Sequence, residues 1–160
     1  MRLYRIGLTW AGPGPEGLRE AIEGWAGTPY LEDTQCPGVG VDCVRFVCAI
    51  LDVLSGQSTD ISVMPQDIAL HSPEGARASM RQIMSNYRPY LNLGANAFVR
   101  GGDIVVVGHR DGGPGHAMIV GPDRNTLWHA IRPKVTMKGF TLPEDTVIYR
   151  VFRKEVPGGC

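Results

Sequence analysis

Gly40-Val-Asp-Cys-Val-Arg-Phe-Val-Cys-Ala-Ile-Leu-Asp-Val-Leu-Ser-Gly56 decides how the rest of the chain is read. Phe46, Val47, Ile50, Leu51 and Leu54 recur at helical spacing, Asp42 suits an N-cap and Gly56 suits the residue that stops a helix. Cys43 then falls in the first turn of a buried helix. There, unpaired backbone N–H groups and the positive end of the helix dipole favour a thiolate, the nucleophilic form of cysteine. Two readings stay open for Cys43: a nucleophile, or a small buried hydrophobe as free cysteines usually are. Cys48, inside the helix, is read as core.

Upstream, Leu18, Ala21, Ile22 and Trp25 mark an amphipathic helix from Pro15 to about Trp25, with Pro15 at its first position. Residues 1–8 read as an edge strand or an extended arm. Gly27-Thr28-Pro29-Tyr30 ends the helix, and a loop through Cys36-Pro37-Gly38-Val39 leads to the central helix. Downstream, residues 65–71 and 75–87 read as short helices, and the stretch between Arg88 and Arg100 as irregular. The character then changes: Ile104–Val107, Ala117–Val120, Thr126–Ala130 and Val147–Phe152 are apolar or β-branched runs parted by turns such as Gly112-Gly113-Pro114-Gly115 and Gly121-Pro122-Asp123. Short turns favour an antiparallel meander over a parallel sheet. Helices first and strands afterwards predict an α+β domain with its helices packed on one side of the sheet.

At 160 residues with 43% hydrophobic content, the chain is long enough for one core and short for two. The expectation is a single domain over 1–160, with a core at about 15–153, an N-terminal arm at 1–14, a helical insertion at 57–97 and a tail at 154–160. Sixteen basic and sixteen acidic residues balance, which gives no reason to expect a nucleic-acid or anionic-membrane partner. No signal peptide is expected from Met1 to Trp10, and no run approaches the ~18 apolar residues of a membrane span. The four cysteines lack metal spacing and are read as reduced, with Cys160 an exposed tail thiol.

Two histidines occupy suggestive positions. His116 opens one predicted strand and His129 lies near the end of the next. If the strands form a hairpin about 121–125, the two face each other, with cross-strand partners ~5 Å apart. One imidazole would then take the proton from Cys43 while the other orients it, the nucleophile, base and orienter arrangement of thiol proteases. The alternatives are a solvated turn residue for His116, a hydrogen-bonded core histidine for His129, or a metal site built from Cys43, His116 and His129. His71 and His109 read as solvated.

Gly27-Thr28-Pro29-Tyr30, Val41-Asp42-Cys43, Gly102-Asp103-Ile104-Val105, Gly115-His116-Ala117-Met118-Ile119-Val120 and Leu127-Trp128-His129-Ala130 occur in an order that resembles the NlpC-type, papain-like cysteine peptidases of bacterial cell walls. The branch found in phage tails and gene-transfer agents looks most similar. The resemblance covers about residues 15–153 and implies a papain-like fold, its nucleophile helix packed on a C-terminal antiparallel meander. It implies Cys43 as nucleophile, His116 as general base, His129 as orienting residue, and Tyr30 near the nucleophile to position substrate. Asp42 would serve as cap and scaffold. It implies hydrolysis of peptidoglycan stem peptides, at the D-glutamyl–diamino acid bond, by a Cys43 thiolate paired with protonated His116, with no cofactor and no metal. Tail-tip or hub proteins would be partners and the virion the location, with the bacterial cytoplasm as the alternative. A non-catalytic tail component keeping the fold is the competing reading. Val44-Arg45 departs from the glycine that the family usually carries two residues past the cysteine. Arg45 would either bind an acidic substrate group in the cleft or lie solvated on the helix surface. Asp103 reads as a turn residue at a strand start.

Overall fold

The structure is a computed structural model that describes residues 2–32, 34–56, 90–94 and 96–154. The helices expected at 65–71 and 75–87, His71 and the Cys160 tail lie outside the described residues.

The central helix α2 (Cys43–Ser55) follows the sequence pattern closely. Its ends are set by Asp42, whose side chain accepts the Arg45 N–H, and by Gly56, whose φ of 70° is easy only without a Cβ. The first helix is shorter than its apolar spacing suggests. It runs as α1 (Leu18–Glu23), because Gly17 sits at φ 89° and breaks the helical path, so Pro15 belongs to the preceding turn and not to the helix.

Before α1 lie β1 (Leu3–Arg5) and β2 (Thr9–Trp10), and between the helices the hairpin β3 (Gln35–Cys36) and β4 (Gly40–Val41). Beyond α2 come β5 (Tyr90–Asn92) and β6 (Phe98–Val99), two short strands in the stretch expected to be irregular. Then follow β7 (Ile104–His109), β8 (Gly113–Val120), β9 (Thr126–Ile131), β10 (Lys134–Gly139), β11 (Thr141–Pro143) and β12 (Thr146–Lys154). A six-stranded antiparallel sheet runs β10-β9-β8-β7-β12-β5, so the expected meander is present, with β12 returning beside β7. Strand β10 was not evident in the sequence, since it carries Lys134, Thr136 and Lys138 on a sheet edge and buries only Val135. The N-terminal residues act as both strand and arm: β1 pairs with β11, and β2 pairs in parallel with β6.

Alternation along the strands splits the apolar residues into two clusters. Ile104, Val106, Ala117, Ile119 and Ala130 pack with Val44, Val47, Cys48 and Ile50 of α2 on one face. Val105, Val107, Met118, Val120 and Leu127 pack with Ile6, Leu8, Phe140 and Leu142 on the other. Each fully buried large side chain contributes about 1.5–3 kcal/mol, so the sheet is held from both sides. The start of β7 is fixed by Asp103. Rather than a simple turn residue, it is buried, accepts the Arg100 N–H at 2.9 Å and is gripped by Arg153 of β12 through two bonds of 2.8 Å.

Candidate active site

Strand β4 delivers the chain directly into α2. Tyr30 bridges to Val41 in parallel, and the Leu31 N–H bonds the Val41 carbonyl at 3.1 Å. On its other side the same segment is tied to the start of β10, with the Tyr30 N–H on the Pro133 carbonyl at 2.8 Å. This lacing draws three distant parts of the chain around one cleft of about 220 Å³, lined by Tyr30, Cys43, His116 and Arg132 with Gly115, Ala130 and Ile131 between them.

Cys43 is the first residue of α2 and only 2% exposed. Burial pushes its thiol up to about 12. The N–H groups of Ala117, Val44 and Cys43 itself bond the sulfur and pull in the opposite direction, but they do not offset burial, and the Asp42 charge adds to the upward push. The helix start does offer the expected donors. Desolvation is the stronger effect, so the thiol is neutral where the sequence suggested a thiolate.

The Ala117 amide is free to reach the sulfur because the β8–β9 ladder ends at Ile119–Trp128. Continuing that register puts His116 diagonal to His129 instead of directly opposite it, a spacing that aromatic rings can still bridge. Their rings lie 4.9 Å apart, with His116 Nε2 and His129 Nδ1 at 2.7 Å. With Nε2 engaged, Nδ1 is the His116 nitrogen left for a thiol. If Nδ1 carries the lone pair, Nε2–H donates to His129 Nδ1, and His129 must hold its own proton on Nε2.

Both rings are neutral. Burial lowers His116 to about 3, helped by the charges of His129 and Lys138, and lowers His129 to about 4, helped by Lys138. Burial thus pushes both groups away from the thiolate–imidazolium pair expected from sequence and towards a neutral thiol and a neutral imidazole. Burial first, with the nearby Asp42 charge adding to it, raises the Tyr30 phenol well above its ordinary value, so its hydroxyl keeps its proton.

Asp42 and Arg45 sit behind the cleft and do not line it. Arg45 is 4% exposed, which overturns the solvated reading. Its Nη1 lies 2.5 Å from Asp42 Oδ2 while its N–H bonds Oδ1. Arg132 and Lys138 carried no motif in the sequence. The placement of Arg132 three residues past His129, on the way out of β9, is the nearest thing to a signal. Among the described residues, no group of three or more His, Cys, Asp or Glu side chains could hold a metal ion, and no helix is long and apolar enough to cross a membrane.

A helix that begins with Cys43 is thus laid on an antiparallel sheet, with His116 and His129 bonded to each other on neighbouring strands. No protein-family model matches the chain, and no curated protein does either. Among solved structures it is similar to an NlpC/P60 family protein from Bacillus cereus ATCC 10987, at TM-score 0.58 and 17% identity over 92% of this chain and 42% of that one. It is also similar to the NlpC/p60 domain of the peptidoglycan hydrolase SagA, at TM-score 0.48 and 18% identity over 76% of this chain and 86% of that one. The fold is thus of the NlpC/P60 type, on the strength of the Bacillus structure, and this chain spans less than half of that protein's length.

Proposed function

We propose that this chain is a cysteine endopeptidase that hydrolyses an amide bond in peptidoglycan stem peptides, of the D-glutamyl–diamino acid type. Cys43 is the nucleophile, His116 the general base and His129 the orienting group. The observation that carries this reading is the 2.7 Å contact between His116 Nε2 and His129 Nδ1, made where His116 and Cys43 share one cleft. The fold of the solved NlpC/P60 proteins and the five ordered motifs support it.

Because thiol and imidazole start neutral, the Cys43 proton passes to His116 Nδ1 as the sulfur attacks the carbonyl. The imidazolium so formed donates through Nε2 to His129, which stays neutral and accepts. The protonated Tyr30 hydroxyl donates to the substrate, and the Cys43 N–H at the start of α2 supplies an oxyanion donor, a contribution whose loss typically costs ~10²–10³ in rate. His116 then protonates the leaving amine and activates water to release the acyl-enzyme. No cofactor takes part. The branch resemblance further suggests a role in the tail tip of a phage, among hub proteins, opening the wall for genome entry. Detecting the chain in purified particles tests that role.

Digestion of purified peptidoglycan, read by mass spectrometry, should yield fragments with a newly freed diamino-acid amine. Cys43→Ala should lower the rate at least ~10³-fold with unchanged melting. Equal hydrolysis by Cys43→Ala would overturn the assignment. One observation favours a second reading: the deeply buried, protonated Cys43 also suits an inert structural component of a tail. Alkylation of Cys43 by iodoacetamide near neutral pH, lost in His116→Ala, supports the enzyme, and an unreactive Cys43 supports the structural component.

A further inference from the structure

Arg45, the sequence candidate for reading an acidic group, spends its charge on Asp42 behind the cleft. The cleft nevertheless carries one charged side chain in its lining, Arg132. Its guanidinium stands 5.1 Å above the centre of the Tyr30 ring, at the mouth, and the side chain is 71% exposed. One Nη2 contact reaches Glu32 Oε1 at 3.4 Å, the long limit of a hydrogen bond, which leaves most of the five guanidinium donors for an incoming group. Tyr30 restricts the cation from one side, so less freedom is lost when it binds. With one guanidinium and, among the described residues, no second cation lining the cleft, the chemistry that fits is a single carboxylate held by paired N–H donors.

We propose that Arg132 is the specificity-determining residue of the cleft, binding a free carboxylate that lies within a few bonds of the scissile carbonyl. This rests on the peptidase reading. In a γ-linked glutamyl residue, the α-carboxylate occupies that position, and its amidation to the carboxamide removes the charge. Arg132 thereby selects stem peptides whose glutamate is unamidated.

Two reagents of almost equal size test this directly on the folded chain: iodoacetate, which carries a carboxylate on the carbon under attack, and neutral iodoacetamide. Since His116 is unprotonated at pH 7.5, it does not itself attract the anion. The ratio of iodoacetate to iodoacetamide alkylation rates at Cys43 should fall ~10-fold in Arg132→Gln, recover in part in Arg132→Lys, and stay at the wild-type value in Lys138→Met. An unchanged ratio in Arg132→Gln, or a fall in Lys138→Met instead, overturns the proposal. In a second arm, muropeptides with a free or an amidated glutamate are compared. Wild type should prefer the free acid by ~10-fold in kcat/KM, and Arg132→Gln should erase the preference. Hydrolysis of neither peptide, with an Arg132-dependent alkylation ratio, defeats the peptidase reading and leaves the carboxylate site standing. Hydrolysis of both alike, with an unchanged ratio, does the reverse.

Discussion

Two aspartate–arginine pairs sit at opposite ends of the helix layer, and they are built alike. Asp42 caps the Arg45 N–H and binds its guanidinium, while Asp103 caps the Arg100 N–H and binds the guanidinium of Arg153. In each case one carboxylate anchors both backbone and side chain. They differ in reach. The first spans three residues and is buried at both partners, next to Cys43. The second spans fifty and leaves Arg153 23% exposed, joining the start of β7 to β12. The local pair therefore sets where the helix that carries Cys43 begins, and the distant pair closes the sheet. A site and its scaffold can be held by the same chemistry at different depths.

Removing one partner of the deeper pair should have the largest effect. Arg45→Met leaves the Asp42 carboxylate buried without its guanidinium and should cost about 3–5 kcal/mol in urea unfolding, with Cys43 labelling altered in the folded protein. Equal loss in Arg45→Met and Arg153→Met would break the distinction of depth. A pH titration sharpens it from another side, because the histidine pair is buried without charge. His129 titrates near 4 when folded, so between pH 6.5 and 4 the unfolded chain takes up a proton that the folded chain refuses. Stability must then fall as pH falls through that window, by roughly 2 kcal/mol more in wild type than in His129→Asn, measured by unfolding at pH 7 and 4.5. The smallest effect belongs to Arg153→Met. Each aspartate is buried and keeps its backbone N–H, but Arg153 is partly in water where Arg45 is not, so water replaces part of what Arg153 gives and the loss should be about 1–2 kcal/mol, with the rate of Cys43 labelling unaffected.

The same contrast explains what could be read in advance. Asp42, Gly56 and the apolar rows of α2 act within a few residues, and that helix was legible to its ends. His116 and His129 were legible as a pair because the turn at 121–125 fixes which strands are neighbours. Tyr30 and Cys43 were legible as motif positions, and they share the cleft. The destination of Arg45 was not, because whether a long cation folds back or reaches water depends on how deeply its turn is packed. The pairing of Asp103 with Arg153 spans fifty residues, and β10 has an edge strand's mixed pattern, so neither leaves a local trace. The protonation of Cys43 also emerged only on folding, since the helix-end donors are local and the desolvation that outweighs them comes from the whole layer above the sheet.

One consequence follows from the way the cleft spans two bodies. The sulfur travels with α2 and both imidazoles travel with the sheet, so their separation is gauged by the thickness of the packing between helix and β8, where Ile50 and Ile119 share one cluster. That layer works as a shim. A methyl group trimmed or added there would retune the reactivity of the thiol from beneath, without any change to a residue that a substrate could touch.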